Sequence, residues 1–121
     1  NARMSEGLYR TSKERREGPA LEFLYRSAGP VWYRGMVCTD EKYDPLTPEQ
    51  TDALLRRYDA DRLLIGHTIF PDISTFHDGR VIAVNVQNER NRRKNRGRAV
   101  LIEGSRISVV GNRGVKRVLE E

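Results

Sequence analysis

The chain has 121 residues, of which 37% are hydrophobic, 7% aromatic and 32% charged, with a formal net charge of +5. That length suits one domain, and the apolar supply is thin for a self-sufficient core. The charge favours an anionic partner or substrate and says nothing about fold.

A single cysteine, Cys38, excludes an intrachain disulfide and points to a reducing, cytoplasmic setting. No apolar run reaches membrane-spanning length, so no membrane is expected. The chain opens Asn1-Ala2 without an initiator methionine. That start reads as the remnant of a cleaved tag, and the chain as a fragment.

Residues 3–18 are polar, highly charged and weakly periodic, which predicts a loose arm or a surface helix. In PALEFLYRSAGP, residues 19–30, apolar mass gathers at Leu21, Phe23, Leu24 and Tyr25. A short helix ended by Gly29-Pro30 is expected, because proline disfavours helical geometry at the residue before it. Residues 1–28 therefore read as a polar arm with a short helix, and 29–121 as part of one domain. VWYRGMV, residues 31–37, holds Val, Trp and Tyr and predicts a strand or extended segment, with Gly35 at a bend or a close backbone approach. CTDEKYDP, residues 38–45, reads as a polar loop.

LTPEQTDALLRRYDAD, residues 46–61, is the clearest helix. Thr47 can cap it, Pro48 suits the first helical position, and Gln50 completes a capping box. Ala53, Leu54 and Tyr58 are expected to form its apolar face. A short turn then leads to the strand RLLI, residues 62–65, so helix and strand make an αβ unit within a mixed α/β sheet. DISTF and RVIAVNV flank His77-Asp78-Gly79, a hairpin signal. RAVLIE and RISVVG, joined at Gly104-Ser105, predict a second hairpin. Between the pairs, residues 87–98 hold six Arg or Lys and no apolar residue, which predicts a solvated loop or disordered excursion. Arg92, Arg93, Lys94, Arg96 and Arg98 are its candidates for contacting nucleic acid or another polyanion. No aromatic interleaves them for base stacking.

His67 follows the RLLI strand at its carboxyl end, where ligands gather in α/β sheets. Neutral imidazole is also the commonest protein metal ligand. A hydrogen-bonded structural role is the alternative. Cys38, His67 and His77 match no common zinc spacing. Cys38 has no readable base beside it and reads as a small, semi-buried thiol.

Taken in series, GPVWYRG (residues 29–35), LLIGHT (63–68) and FHDGRVIAVNV (76–86) resemble the C-terminal half of calcineurin-like metallophosphoesterases, in particular the bacterial and Shewanella-like branch of the PPP-type phosphatases. In that family an Arg-Gly motif precedes a helix. The helix leads into a strand ending in Gly-His-Thr, and a hairpin carries a strand like GGRVIAID. RAVLIEGSRISVV is similar to the closing hairpin, so the resemblance spans residues 29–110. It implies the C-terminal half of a four-layer α-β-β-α sandwich with two β-hairpins at the C-terminus. It also implies a hydrolase of phosphomonoesters with a dinuclear centre of Mn, Fe or Zn. His67 matches the family's last metal-ligand histidine, and Arg34 the arginine that contacts the substrate phosphate. A guanidinium fork suits a phosphoryl group, and a two-metal centre clamps it while generating a hydroxide nucleophile.

The family's other ligand motifs, Asp-x-His, Gly-Asp-x-x-Asp and Gly-Asn-His-Glu, do not occur in this sequence. Asn85 stands where the family usually carries Asp, and residues 90–98 look like an insertion. The resemblance therefore implies a segment whose main metal ligands lie in a missing N-terminal half. Alone it is expected to be inactive and metal-free. Its expected partners are that half and a phosphorylated protein or small molecule, and an exposed apolar face would allow self-association.

Overall fold

The structure, a computed structural model, describes residues 1–120. The chain divides into two compact units, Asn1–Leu46 and Thr47–Glu121.

The first unit opens with three short helices, α1 (Ala2–Leu8), α2 (Ser12–Glu17) and α3 (Pro19–Tyr25). The polar run 3–18 is thus surface helix rather than loose arm. Its local signal is the capping box of α2. Glu14 N–H donates to Thr11 Oγ1 at 3.3 Å, and Thr11 N–H donates to Glu14 Oε2 at 2.7 Å. Those bonds satisfy backbone donors that the first turn of a helix leaves orphaned. α3 starts at Pro19, whose missing N–H costs nothing in a first turn. It stops at Tyr25, earlier than Gly29-Pro30, with Arg26 N–H closing onto Glu22 O at 2.9 Å. Tyr25 joins the three helices: its hydroxyl donates to Met4 O at 2.6 Å, and the Arg15 guanidinium lies 4.2 Å above its ring.

Residues 31–37 form turns and not the expected strand. Their backbone amides are taken locally: Trp32 N–H bonds Gly29 O at 3.1 Å, and Val37 N–H bonds Arg34 O at 3.0 Å. An amide closed in a turn cannot serve a sheet ladder, so the β-propensity of Val, Trp and Tyr is overridden. The close approach expected at Gly35 is present. This glycine is buried, Leu46 N–H reaches its carbonyl at 3.0 Å, and a Cβ there would lie 2.6 Å from Asp44 O. A single 3-10 turn, Glu41–Tyr43, follows, capped by Asp40.

The second unit begins with α4 (Pro48–Arg57), and its capping box is the one the sequence predicts. Gln50 N–H donates to Thr47 Oγ1 at 3.2 Å, and Thr47 N–H to Gln50 Oε1 at 2.8 Å. The buried face differs from expectation. Thr51 and Leu55, one turn apart, are buried, whereas Ala53 is exposed and Tyr58 is the exposed C-cap. Thr51 tolerates full burial because its hydroxyl donates to Thr47 O at 3.0 Å.

Three short strands make the first sheet: β1 (Leu63–Ile65), β2 (Ser74–Phe76) and β3 (Val81–Ala83), in the order β1-β3-β2. β1 runs parallel to β3, with Leu64 opposite Ile82, and β2 runs antiparallel, with Thr75 opposite Ile82. The central strand is buried at every residue, as an unbroken apolar run in a covered strand requires.

Residues 87–98 are not a loop: α5 (Asn88–Arg93) occupies half of them. Glu89 in its first turn and arginines in its last oppose the helix dipole, and Arg93 bonds Glu89 at 2.9 Å across one turn. β4 (Arg98–Glu103), β5 (Arg106–Gly111) and β6 (Gly114–Glu120) then form an antiparallel meander, order β4-β5-β6. The two expected hairpins are present. β6 is an additional strand, reached through Gly114 at φ +98°, and its apolar residues Val115, Val118 and Leu119 do not alternate by two. Ile73, Ile82, Val86, Ile107 and Val109 form the core of this unit, so residues flanking the strands pack with residues in both sheets. The expected mixed α/β character is therefore realised. Among the described residues no helix is long and apolar enough to cross a membrane.

Candidate functional site

His67 lies just beyond the carboxyl end of β1, exposed, with its backbone at φ +70°. The segment around it is pinned on both sides. Val84 N–H donates to Ile65 O at 2.8 Å, and Phe70 N–H donates to Asn85 O at 2.9 Å. Beyond the second bond, Phe70 packs on Phe76 with ring centroids 5.3 Å apart. Thr68 N–H closes on Gly66 O at 2.9 Å, making a tight turn whose apex is His67. A non-glycine residue in the left-handed region is uncommon and stores roughly 1–3 kcal/mol of strain, which surrounding structure must hold in place. Asn85 acts here through its backbone carbonyl.

Arg34 belongs to the first unit. Its side chain is half-buried, and its guanidinium carbon lies 5.8 Å from the centroid of the Tyr43 ring. Its carbonyl accepts from Val37 N–H at 3.0 Å and Cys38 N–H at 2.9 Å, which fixes the backbone that carries it. Next to it, Tyr33 donates its hydroxyl to Asp44 O at 3.0 Å. Burial pushes the Tyr33 phenol above its ordinary pKa, and the Asp44 carboxylate adds to that rise.

His77 and Cys38 have structural surroundings. His77, Asp78 and Gly79 all take positive φ in the β2–β3 turn, and Arg80 N–H returns to His77 O at 3.1 Å. His77 and Cys38 are half-buried. Among the described residues no three His, Cys, Asp or Glu side chains gather closely enough to hold a metal ion. The donors of this chain therefore do not fit a dinuclear centre. His67 offers one imidazole where such a centre needs several ligands.

The basic residues separate once α5 is formed. Arg93 is tied to Glu89. Arg98 lies in β4 rather than in a loop, its side chain only 15% exposed and its Nε 3.3 Å from Asp72 Oδ1. That contact is an ion pair without hydrogen-bond alignment. Arg90, Lys94, Arg96 and Arg98 instead line a cleft of about 460 Å³ together with the segment around Ile69 and Pro71. Arg90 is a cleft residue that the sequence does not single out. Its spacing from Lys94 is the i, i+4 interval of a helix, a signal hidden while the segment is read as a loop.

No family model matches the chain, and no curated protein does. Solved structures do. A cold-active protein tyrosine phosphatase is 21% identical, with a TM-score of 0.65 over 98% of this chain and 32% of that one. A cold-active protein-tyrosine phosphatase from the psychrophile Shewanella sp. is 22% identical, with the same TM-score over 98% of this chain and 34% of that one. The chain thus spans about a third of the length of these structures and has a phosphatase-like fold.

Proposed function

We propose that this chain is a segment of a metal-dependent phosphatase that hydrolyses phosphomonoesters, of the calcineurin-like kind, and that it works in the cytoplasm. The observation that carries the reading is the fold: nearly the whole chain superposes on one third of a protein tyrosine phosphatase. The strained, exposed turn at His67 supports it, because such backbone persists where surrounding contacts enforce a functional geometry. In this reading the chain supplies two groups. Arg34 engages the substrate phosphate through its guanidinium fork. His67 contributes one imidazole to a site for divalent Mn, Fe or Zn, and the other ligands come from the rest of the domain. Alone, the chain binds no metal and turns over no substrate. Leu64 and Ile102, about half exposed on their strands, are apolar surface of the kind that a companion segment or a second copy would cover.

The test is turnover of an aryl phosphate with added manganese, by this chain and by the longest natural protein that contains it. Activity confined to the longer protein is expected. There, His67→Ala is expected to lower metal occupancy and kcat by at least about 10-fold. Arg34→Ala is expected to raise KM for the phosphoester by about 10- to 100-fold, the value of a charge-assisted hydrogen bond. Normal metal content and kinetics in both variants would overturn the assignment of these residues. Absence of activity in the longer protein would overturn the phosphatase reading itself.

A further inference from the structure

The cleft beside α5 has two unlike walls. One is cationic: Arg90 and Lys94 share a helix face, and Arg96 follows in the turn, all three exposed. Among the described residues these three make no ion pair, unlike Arg93 with Glu89 and Arg98 with Asp72. The other wall is apolar, made by the segment Ile69–Pro71, with Ile69 56% exposed and Pro71 exposed. Among the described residues Asp72 is the only carboxylate lining the cleft, and Arg98 already faces it. The charge left over is strongly positive and lies along one side.

We propose that this cleft binds an extended peptide carrying acidic side chains at alternate positions. An extended chain directs successive side chains to opposite sides. Its carboxylates would meet Arg90, Lys94 and Arg96 while its apolar side chains lie on Ile69 and Pro71. Guanidinium and ammonium donors make short, charge-assisted bonds to carboxylates, and the apolar wall offers contact area but no group that reads a base edge. The geometry of α5 disfavours a nucleic-acid strand. Arg92 sits two residues from Arg90, on the opposite side of the helix, and does not line the cleft. A backbone of phosphates would need a continuous cationic track, and here the row is split between faces. The inference does not rest on the phosphatase reading.

Fluorescence anisotropy of the full chain tests it, with three labelled probes at low and physiological salt. They are a decapeptide of alternating Glu and Val, its Gln and Val counterpart, and a ten-nucleotide oligothymidine. The Glu peptide is expected to bind, and the Gln peptide at least about 10-fold more weakly, because the charge-assisted bonds are gone. Arg90→Glu with Lys94→Glu is expected to weaken the Glu peptide at least about 10-fold, while Arg92→Glu on the same helix changes it less than about 2-fold. Arg90→Gln with Lys94→Gln gives the same direction with less perturbation of α5, and circular dichroism reports whether each variant is folded. A free-energy loss from Arg92→Glu about half that of the cleft pair would overturn the proposal, since binding would then simply follow the net charge removed. Tighter binding of oligothymidine than of the Glu peptide would overturn it in favour of a nucleic-acid surface. No binding of the Glu peptide would also overturn it.

Discussion

The two units hold themselves together by different means. In residues 47–121 the work is done by apolar burial: Val81, Ile82 and Ala83 are sealed in a central strand, and Ile73, Val86, Ile107 and Val109 join the same unit's buried set. In residues 1–46 only Leu21 and Val37 are buried hydrophobics. Order there comes from particular local contacts: the Tyr25 hydroxyl on Met4 O, the Arg15 guanidinium on the Tyr25 ring, and a buried Gly35 under Asp44. A core of many equivalent contacts yields to the loss of volume. A set of specific contacts yields to the loss, or the crowding, of one of them.

The largest expected effect comes from Ile82→Ala. Ile82 is 1% exposed and lies opposite both Leu64 and Thr75, so truncation leaves a cavity at the middle of its sheet. A cost of about 2–5 kcal/mol is expected, as for other buried aliphatic truncations. Denaturant unfolding followed by the amide protection of β3 and β5 measures it. Protection of those strands left at its original level would break the view that burial at β3 holds the second unit.

Gly35→Ala is the corresponding probe of the first unit, and it adds an atom rather than removing several. The new Cβ would lie 2.6 Å from Asp44 O, a backbone atom that cannot swing aside. An overpacking cost of about 1–3 kcal/mol is expected, with the Leu46 amide, bonded to Gly35 O, losing protection from exchange. An unchanged Leu46 amide would mean that Gly35 is tolerated rather than required. The same substitution is informative about function, because Arg34 is the preceding residue and its position depends on the turn.

These contrasts also explain what could be read from the sequence. α4 was legible because Thr47, Pro48 and Gln50 each carry a local start signal. The β2–β3 and β4–β5 hairpins were legible because their turns contain Gly79 and Gly104 at positive φ. Residues 31–37 look extended in sequence, but their β-formers sit in turns fixed by contacts to Gly29, Asp44 and Leu46. α5 was missed because a helix without one buried residue has no apolar period to detect. At the site, the strand-end position of His67 was legible. Its left-handed backbone was not, since that conformation follows from the pinning bonds of Ile65 and Asn85 rather than from the residue itself. The cationic cleft was half-visible: the charges could be counted, but the face they share required the helix.

The smallest expected effect separates the two capping boxes. Both follow the capping-box pattern, closed by Glu14 at α2 and by Gln50 at α4. Hydrogen bonds from the Thr11 side chain and amide to the Glu14 carboxylate, with Arg10 nearby, hold its pKa below the ordinary 4.5. A lowered folded-state pKa means that the unfolded chain binds the proton more readily. The stabilisation is therefore complete above the unfolded value and is lost as the pH falls through the folded one. Lowering the pH from 6 toward 2.5 is expected to fray α2, seen as loss of helical carbon chemical shifts at residues 12–17. Glu14→Gln keeps the hydrogen-bonding shape and is expected to remove the pH dependence specific to this box. At α4 the Gln50 contact does not titrate. Its neighbour Glu49 is also held low by the Thr47 hydroxyl, so a weaker acid response is expected there and Glu49→Gln should abolish it. Equal acid fraying of α2 in the parent and in Glu14→Gln would locate the response in other carboxylates of the first unit, Asp40 first among them, since Lys42 lowers its pKa in the same sense.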